Sequence, residues 1–237
     1  LGLDADKVTT VKRWADAMLG AARAAVASEE EVRANAEIEL EAQLFLAKVF
    51  DERRLHPTND LMSAMVHSHG EDEEPLTMAE LQNLMHQLIT GGFETTQTAI
   101  NHGMWTLIRY PELQSQLRED NTLIKPFVDE VLRWESPVQF LARRAKEDIE
   151  INGTLIEKDS MVLVGYGPAN RDQAKFECPH QFDIERPNSG ANLAFGSGRH
   201  FCPGALLAKQ EMSSSFKLQL DHLEDIQRAK PLPDPGH

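Results

Sequence analysis

Apolar and polar positions along the chain follow two different periods, and the helical one covers most of its length. VKRWADAMLGAARAAVA (11–27) and the Glu/Ala-rich stretch 29–54 are rich in helix-favouring residues, with Gly20 the one interruption by Gly or Pro. Pro57 and Asn59 end that pattern before a short apolar helix, DLMSAMVHS (60–68), and GEDEEP (70–75) reads as a solvated acidic loop. Thr77 with Glu80 three residues later forms a capping-box signature. From Met78 the helical pattern runs to Arg109, where Tyr110-Pro111 stops it. At about 1.5 Å per residue this helix is roughly 48 Å long, enough to serve as a central beam. PELQSQLRED (111–120) and IKPFVDEVLRWES (124–136) predict two shorter helices, the second closing before Pro137.

After Pro137 the period changes. KEDIEINGTLIEKDSMVLVGY (146–166) alternates polar and apolar residues around Asn152-Gly153 and predicts a β-hairpin. Residues 167–197 are loop-rich, with Pro168, Pro179 and Pro187, and a last helix is expected over about 203–223. The predicted fold is mainly α with a small β element, without repeats or low-complexity tracts.

Composition narrows the function. The chain has 237 residues, 41% of them hydrophobic and 26% charged, which suits a soluble globular protein with a real core. No stretch reaches the roughly 18–20 apolar residues of a membrane span, and LGLDADKVTT lacks the basic-then-apolar layout of a signal peptide. A cytoplasmic protein that does not bind membranes is the expectation. A net charge of -14 without a basic stripe disfavours nucleic-acid binding. With two cysteines, Cys178 and Cys202, a disulfide framework is excluded, and a thiolate ligand or nucleophile is the alternative.

The chemistry concentrates in Phe195-Gly-Ser-Gly-Arg-His-Phe-Cys-Pro-Gly204. Its glycines permit positive-φ turns, and Cys202 precedes a helix whose N-terminal dipole favours a thiolate. Taken alone, such a cysteine reads more readily as core packing. A dinucleotide loop is ruled out because Phe201 stands where a third glycine belongs, and zinc by the one-residue spacings of Cys178-x-His180 and His200-x-Cys202. The whole string instead resembles the haem-binding signature of the cytochrome P-450 family, F-x-x-G-x-x-x-C-x-G, at Phe195, Gly198, Cys202 and Gly204. The resemblance implies Cys202 as axial thiolate of a haem b, Phe195 and Gly196 beside the sulfur, and His200 at a propionate.

Two further segments carry the same resemblance. Gly91-Gly92-Phe93-Glu94-Thr95, inside the long helix, matches the family's oxygen-binding [AG]-G-x-[DE]-T. Glycines in a helix interior cost about 1 kcal/mol each against Ala, so they mark either a ligand-accommodating distortion or a helix crossing. By resemblance Thr95 hydrogen-bonds the oxygen being activated and Glu94 helps relay protons, with Gly91 part of the cofactor face; Leu88, Ile89 and Phe93 lie toward substrate. Glu130-x-x-Arg133 matches E-x-x-R, with Arg186 completing a buried network. Arg143, ten residues before Gly153, fits the propionate-binding arginine, with adjacent Arg144 as the alternative, and Val138, Gln139 and Phe140 are substrate-pocket candidates.

The resemblance implies a cytochrome P-450 fold incomplete at both ends, with residues 1–237 the C-terminal part of one haem-thiolate domain. The N-terminal sheet and helices are expected to be missing, as are the strands that would follow PLPDPGH. The implied activity is monooxygenation of a small hydrophobic substrate by O₂. Because no flavin or nicotinamide motif is present, electrons are expected from an external ferredoxin or flavodoxin with its reductase. The alternatives are a peroxide-driven haem-thiolate enzyme and a non-catalytic haem-binding fragment.

Overall fold

Ser28 and Thr77 start the two long helices in the same way. In each case the hydroxyl accepts the N–H of the glutamate three residues on, and that glutamate's carboxylate accepts the cap's own N–H (2.8 Å at both). The computed structural model describes residues 2–20, 26–70 and 74–229. The chain forms two units, Leu1–Glu94 and Thr95–His237.

The first unit contains α1 (Val8–Gly20), α2 (Glu29–Leu55), α3 (Leu61–His67) and the first half of α4 (Met78–Arg109). Leu81, Met85 and Ile89 recur every four residues along α4, and that stripe is buried with Trp14 and Met18 of α1, Leu46 and Phe50 of α2, and Met62 and Val66 of α3. The Trp14 indole N–H donates to Glu41 at 3.2 Å, so the largest core side chain also has its polar atom satisfied. The acidic loop expected over 70–75 has its residues 71–73 outside the described residues, as do 21–25 of the first expected helix.

The second unit contains the rest of α4, then α5 (Pro111–Glu119), α6 (Ile124–Trp134), four short strands, the single-turn α7 (Tyr166–Ala169) and α8 (Ala205–His222). Its core joins Ala99 and Leu107 of α4, Leu117 of α5, Phe127, Val128 and Val131 of α6, and Met212, Phe216 and Leu220 of α8. The Phe216 ring of α8 lies against Gly103 of α4: a Cβ there would lie 2.1 Å from the ring. At the far end of α8, Arg118 donates to the carbonyls of Leu220, Leu223 and Glu224, satisfying acceptors that the helix leaves open.

The β region departs from expectation. Asn152 (φ 49°) and Gly153 (φ 76°) form the turn of a hairpin between β2 (Ile149–Ile151) and β3 (Thr154–Ile156), as the Asn-Gly pair predicts. The rest of 146–166 does not extend that hairpin. Instead β4 (Met161–Gly165) pairs antiparallel with β1 (Phe140–Arg144), which makes a second two-stranded sheet. A turn through Asp159 at φ 68° sends the chain back to a strand laid down before the hairpin.

Asp60 makes the first unit sensitive to acid. It caps α3 through the Ser63 N–H (2.7 Å) and also receives the Thr58 hydroxyl and the Arg53 guanidinium, both at 2.7 Å. Burial pushes its carboxyl up, but these donors together outweigh burial and hold it well below the usual carboxylate range. A carboxylate depressed in the folded state stabilises fully above its unfolded pKa of about 3.9 and loses that contribution as pH falls through the folded value. Urea midpoints should therefore drop more steeply below about pH 4 for the unaltered protein than for Asp60→Asn, which keeps a cap but cannot ionise.

Candidate functional site

Two glycines in the left-handed region turn the chain ahead of α8. Gly196 (φ 71°) closes a turn onto the Leu193 carbonyl at 2.9 Å, and Gly198 (φ 69°) opens a single 3-10 turn over Gly198–His200. The Cys202 N–H then donates to the Phe195 carbonyl at 2.9 Å, so the loop folds back and sets the cysteine beside the phenylalanine. α8 begins three residues later with Gly204 as N-cap and no side-chain cap, which leaves its first N–H groups facing the cysteine end of the loop. Cys202 is half-buried and its thiol is free. A Cβ on Gly204 would stand 3.8 Å from Sγ, and one on Gly196 would stand 3.9 Å from the Tyr166 hydroxyl, which ties the end of β4 to the loop.

The surroundings are apolar and open. Phe201 is 54% exposed and Leu206 86%, while Phe140, Leu141, Leu163 and Val164 of the β1–β4 sheet are also exposed. His200 is exposed at the end of the 3-10 turn, and Arg143 is exposed in mid-β1. Neighbouring strand residues point to opposite faces, so Arg143 and Arg144 cannot serve the same site. Arg144 pairs with Asp159 at 3.2 Å, whereas among the described residues Arg143 donates to the adjacent Ala142 carbonyl at 2.8 Å and forms no ion pair.

Behind the loop lies a carboxylate with no exposure at all. Arg133 holds Glu130 through two bonds of 2.7 Å, Arg186 adds a third at 3.1 Å and the Asp183 N–H a fourth at 3.0 Å. The guanidinium groups spend their other donors on carbonyls: Arg133 on Asn170, Pro179 and Gln181, Arg186 on Glu177, Cys178 and Gln181. Cys178, the second cysteine, thus contributes its backbone carbonyl, held at φ 44°. Among the described residues no group of three or more His, Cys, Asp and Glu side chains could hold a metal ion.

Sequence reasoning missed the residues that join this network to the loop. Buried Asn170 accepts the Leu193 N–H at 2.6 Å and donates to Ser136 at 2.8 Å. Asn192 donates to the Asp129 carbonyl at 3.3 Å and accepts from Ala194 at 3.0 Å. The partners that make the link, Leu193 and Ser136 for Asn170 and Asp129 for Asn192, lie 23 to 63 residues away, and no local pattern marks them.

α4 runs through Gly91-Gly92 without a break, and a Cβ on Gly92 would meet nothing within 4 Å. The paired glycines therefore are not a helix crossing, whereas Gly103 makes room for the Phe216 ring. Glu94 is exposed and Thr95 half-buried on consecutive positions, with Gly91 and Glu94 in the first unit and Thr95 in the second. Phe195, Gly196, His200, Cys202 and Gly204 are gathered in one loop.

A family model described as cytochrome P450 matches residues 28–231. The chain belongs to the cytochrome P450 family. Putative cytochrome P450 140 of Mycobacterium tuberculosis is 40% identical over 175 residues, which is 73% of this chain and 40% of that protein. Putative cytochrome P450 YjiB of Bacillus subtilis is 38% identical over 234 residues, 95% of this chain and 58% of its own length. The solved structure of P450BioI in complex with a hexadec-9Z-enoic acid-ligated acyl carrier protein superposes with a TM-score of 0.88 at 30% identity, covering 98% of this chain and 59% of that one. The chain thus spans about half the length of the relatives it matches, and as a P450 it takes its mainly helical fold with small sheets from that family.

Removing one guanidinium from Glu130 would strand a buried charge, which costs about 3–5 kcal/mol. Arg133→Met should therefore lower unfolding stability by that amount in urea melts, while Arg144→Met, which breaks an exposed pair, should change it by under about 1 kcal/mol.

Proposed function

We propose that this chain is the C-terminal part of a haem-thiolate monooxygenase domain, with Cys202 as the axial ligand of haem b. The observation that carries this reading is the bond from the Cys202 N–H to the Phe195 carbonyl, which presents a free thiol at the mouth of an uncapped helix beside open apolar surface. One soft donor on an apolar face suits a flat macrocycle, and exposed Arg143 and His200 suit its anionic edge. The opposite-face geometry and the Asp159 pairing of Arg144 favour Arg143 as the propionate partner. Bound there, a thiolate-ligated haem iron supplies O₂ activation and O–O cleavage.

The protein's part is positioning and proton supply. Gly204, where a Cβ would stand 3.8 Å from Sγ, keeps the space beside the sulfur clear of a side chain, Gly196 supplies the turn of the loop, and Phe195 holds the Cys202 N–H through its carbonyl. Gly91 and Gly92 leave the backbone of α4 open, while Thr95 offers a hydroxyl that holds a proton donor in place and Glu94 a carboxylate that exchanges protons with solvent. The acid–alcohol pair favours monooxygenation over peroxide-driven chemistry, which needs no such supply. Val138, Gln139 and Phe140 are the residues we assign to a small hydrophobic substrate, whereas Ile89, expected toward substrate, is buried in the core of the first unit and Phe93 packs against that core. Among the relatives are the monooxygenase PikC of Streptomyces venezuelae, 38% identical, and the 6-deoxyerythronolide B hydroxylase of Saccharopolyspora erythraea, 34% identical, and both names fit oxidation of an organic substrate. Electrons come from a separate ferredoxin or flavodoxin with its reductase in a cytoplasmic setting; among the described residues no helix is long and apolar enough to cross a membrane.

The deciding measurement is the absorption spectrum of the haem-loaded, reduced protein under carbon monoxide. A strongly red-shifted Soret band that vanishes in Cys202→Ala supports thiolate ligation; a band unchanged by that substitution overturns it. In turnover with a surrogate redox pair, Thr95→Ala should cut product formation by about 100-fold while reductant is still consumed. Unchanged product per electron pair would instead favour the peroxide-driven chemistry.

A further inference from the structure

Lys209 stands in the second turn of α8, seven residues after Cys202. Its ammonium is 2.6 Å from Asp129 Oδ1 and 5.8 Å from the centroid of the Phe195 ring. Asp129 is largely buried, and its Oδ1 accepts no hydrogen bond of regular geometry among the described residues, so Lys209 compensates it as an ion pair. The pair also touches the thiol loop at the backbone: Phe195 takes the Cys202 N–H, and Asn192, three residues before Phe195, is bonded to the Asp129 carbonyl. Lys209 is thus a cation on the ring of the residue whose carbonyl holds the Cys202 N–H, and Asp129 is the matching anion on α6 beside Glu130.

We propose that Lys209 and Asp129 are a positioning pair that holds the Phe195 ring against the cysteine loop and sets, by their opposed charges, the reduction potential of the iron that Cys202 would ligate. This rests on the haem-thiolate reading above. Reduction adds an electron, so a nearby cation favours the reduced state and a nearby anion opposes it, most strongly where burial lowers the dielectric. Charges and contacts around a ligand are among the levers by which a protein tunes a metal potential. A pair that merely packed the loop would respond alike to loss of either member. An electrostatic pair responds with opposite signs.

The test is potentiometric titration of the haem-loaded protein, followed by absorbance, with the carbon monoxide spectrum recorded for each variant. Lys209→Met leaves Asp129 uncompensated and should shift the midpoint potential to more negative values. Asp129→Asn leaves Lys209 uncompensated and should shift it to more positive values. The double variant should return toward the unaltered protein, since the two effects are coupled. Lys209→Arg keeps the charge and should stay close to it, which separates charge from packing. Shifts of the same sign in both single variants, or none in either, with the red-shifted band intact, overturn this inference alone. Absence of that band in the unaltered protein overturns the haem-thiolate reading and this inference with it.

Discussion

The Glu130 carboxylate has no contact with water, and the second unit is arranged around keeping it charged. An isolated carboxylate in a protein interior costs several kcal/mol, so it survives only when surrounded by donors. Arg133 and Arg186 meet that demand, but each brings a guanidinium of its own that must be satisfied. Their remaining N–H groups reach the carbonyls of Asn170, Glu177, Cys178, Pro179 and Gln181. One charge on α6 thereby organises a loop-rich segment that has little regular structure. The stretch from 170 to 193 is held by this network and by Asn170, and the cysteine loop starts where that support ends. Burial of one acid thus reaches the Cys202 loop through a chain of hydrogen bonds.

That arrangement explains how a site can be firm where the chain is irregular. The cysteine loop has two positive-φ glycines, one 3-10 turn and one closing bond, and none of these is strong alone. They adjoin α6 and α8, whose apolar faces meet through Phe127 and Phe216 at 5.1 Å. The loop carries a half-buried Cys202 beside exposed Phe201, and exposed Leu206 follows in the first turn of α8. Exposed apolar surface of this extent next to a free thiol is costly unless something covers it.

Helices were legible because their signals are local. Thr77-x-x-Glu80 and Tyr110-Pro111 bound α4 in the sequence and in the structure alike, since capping and proline exclusion act over four residues. Ser28-x-x-Glu31 carries the same capping signal for α2. The Asn152-Gly153 turn was equally legible. The partner of β4 was not, because Met161–Gly165 had an equally apolar near neighbour in β3 and a distant one in β1. Glycines were ambiguous for the same reason: Gly92 faces open space while Gly103 faces Phe216, and only the packed neighbour distinguishes them.

By itself the sequence determined the helical order, the hairpin turn, the spacing of Phe195, Gly198, Cys202 and Gly204, and the pairing of Glu130 with Arg133 one turn apart. These depend on backbone geometry over a few residues, which residue type alone controls. The tertiary structure decided which of two adjacent arginines in β1 pairs with Asp159, which carbonyls take the Arg133 guanidinium, and that Lys209 bridges Asp129 and the Phe195 ring. Those outcomes join positions 14 to 80 residues apart, where burial and the need to pair desolvated charges make the choice.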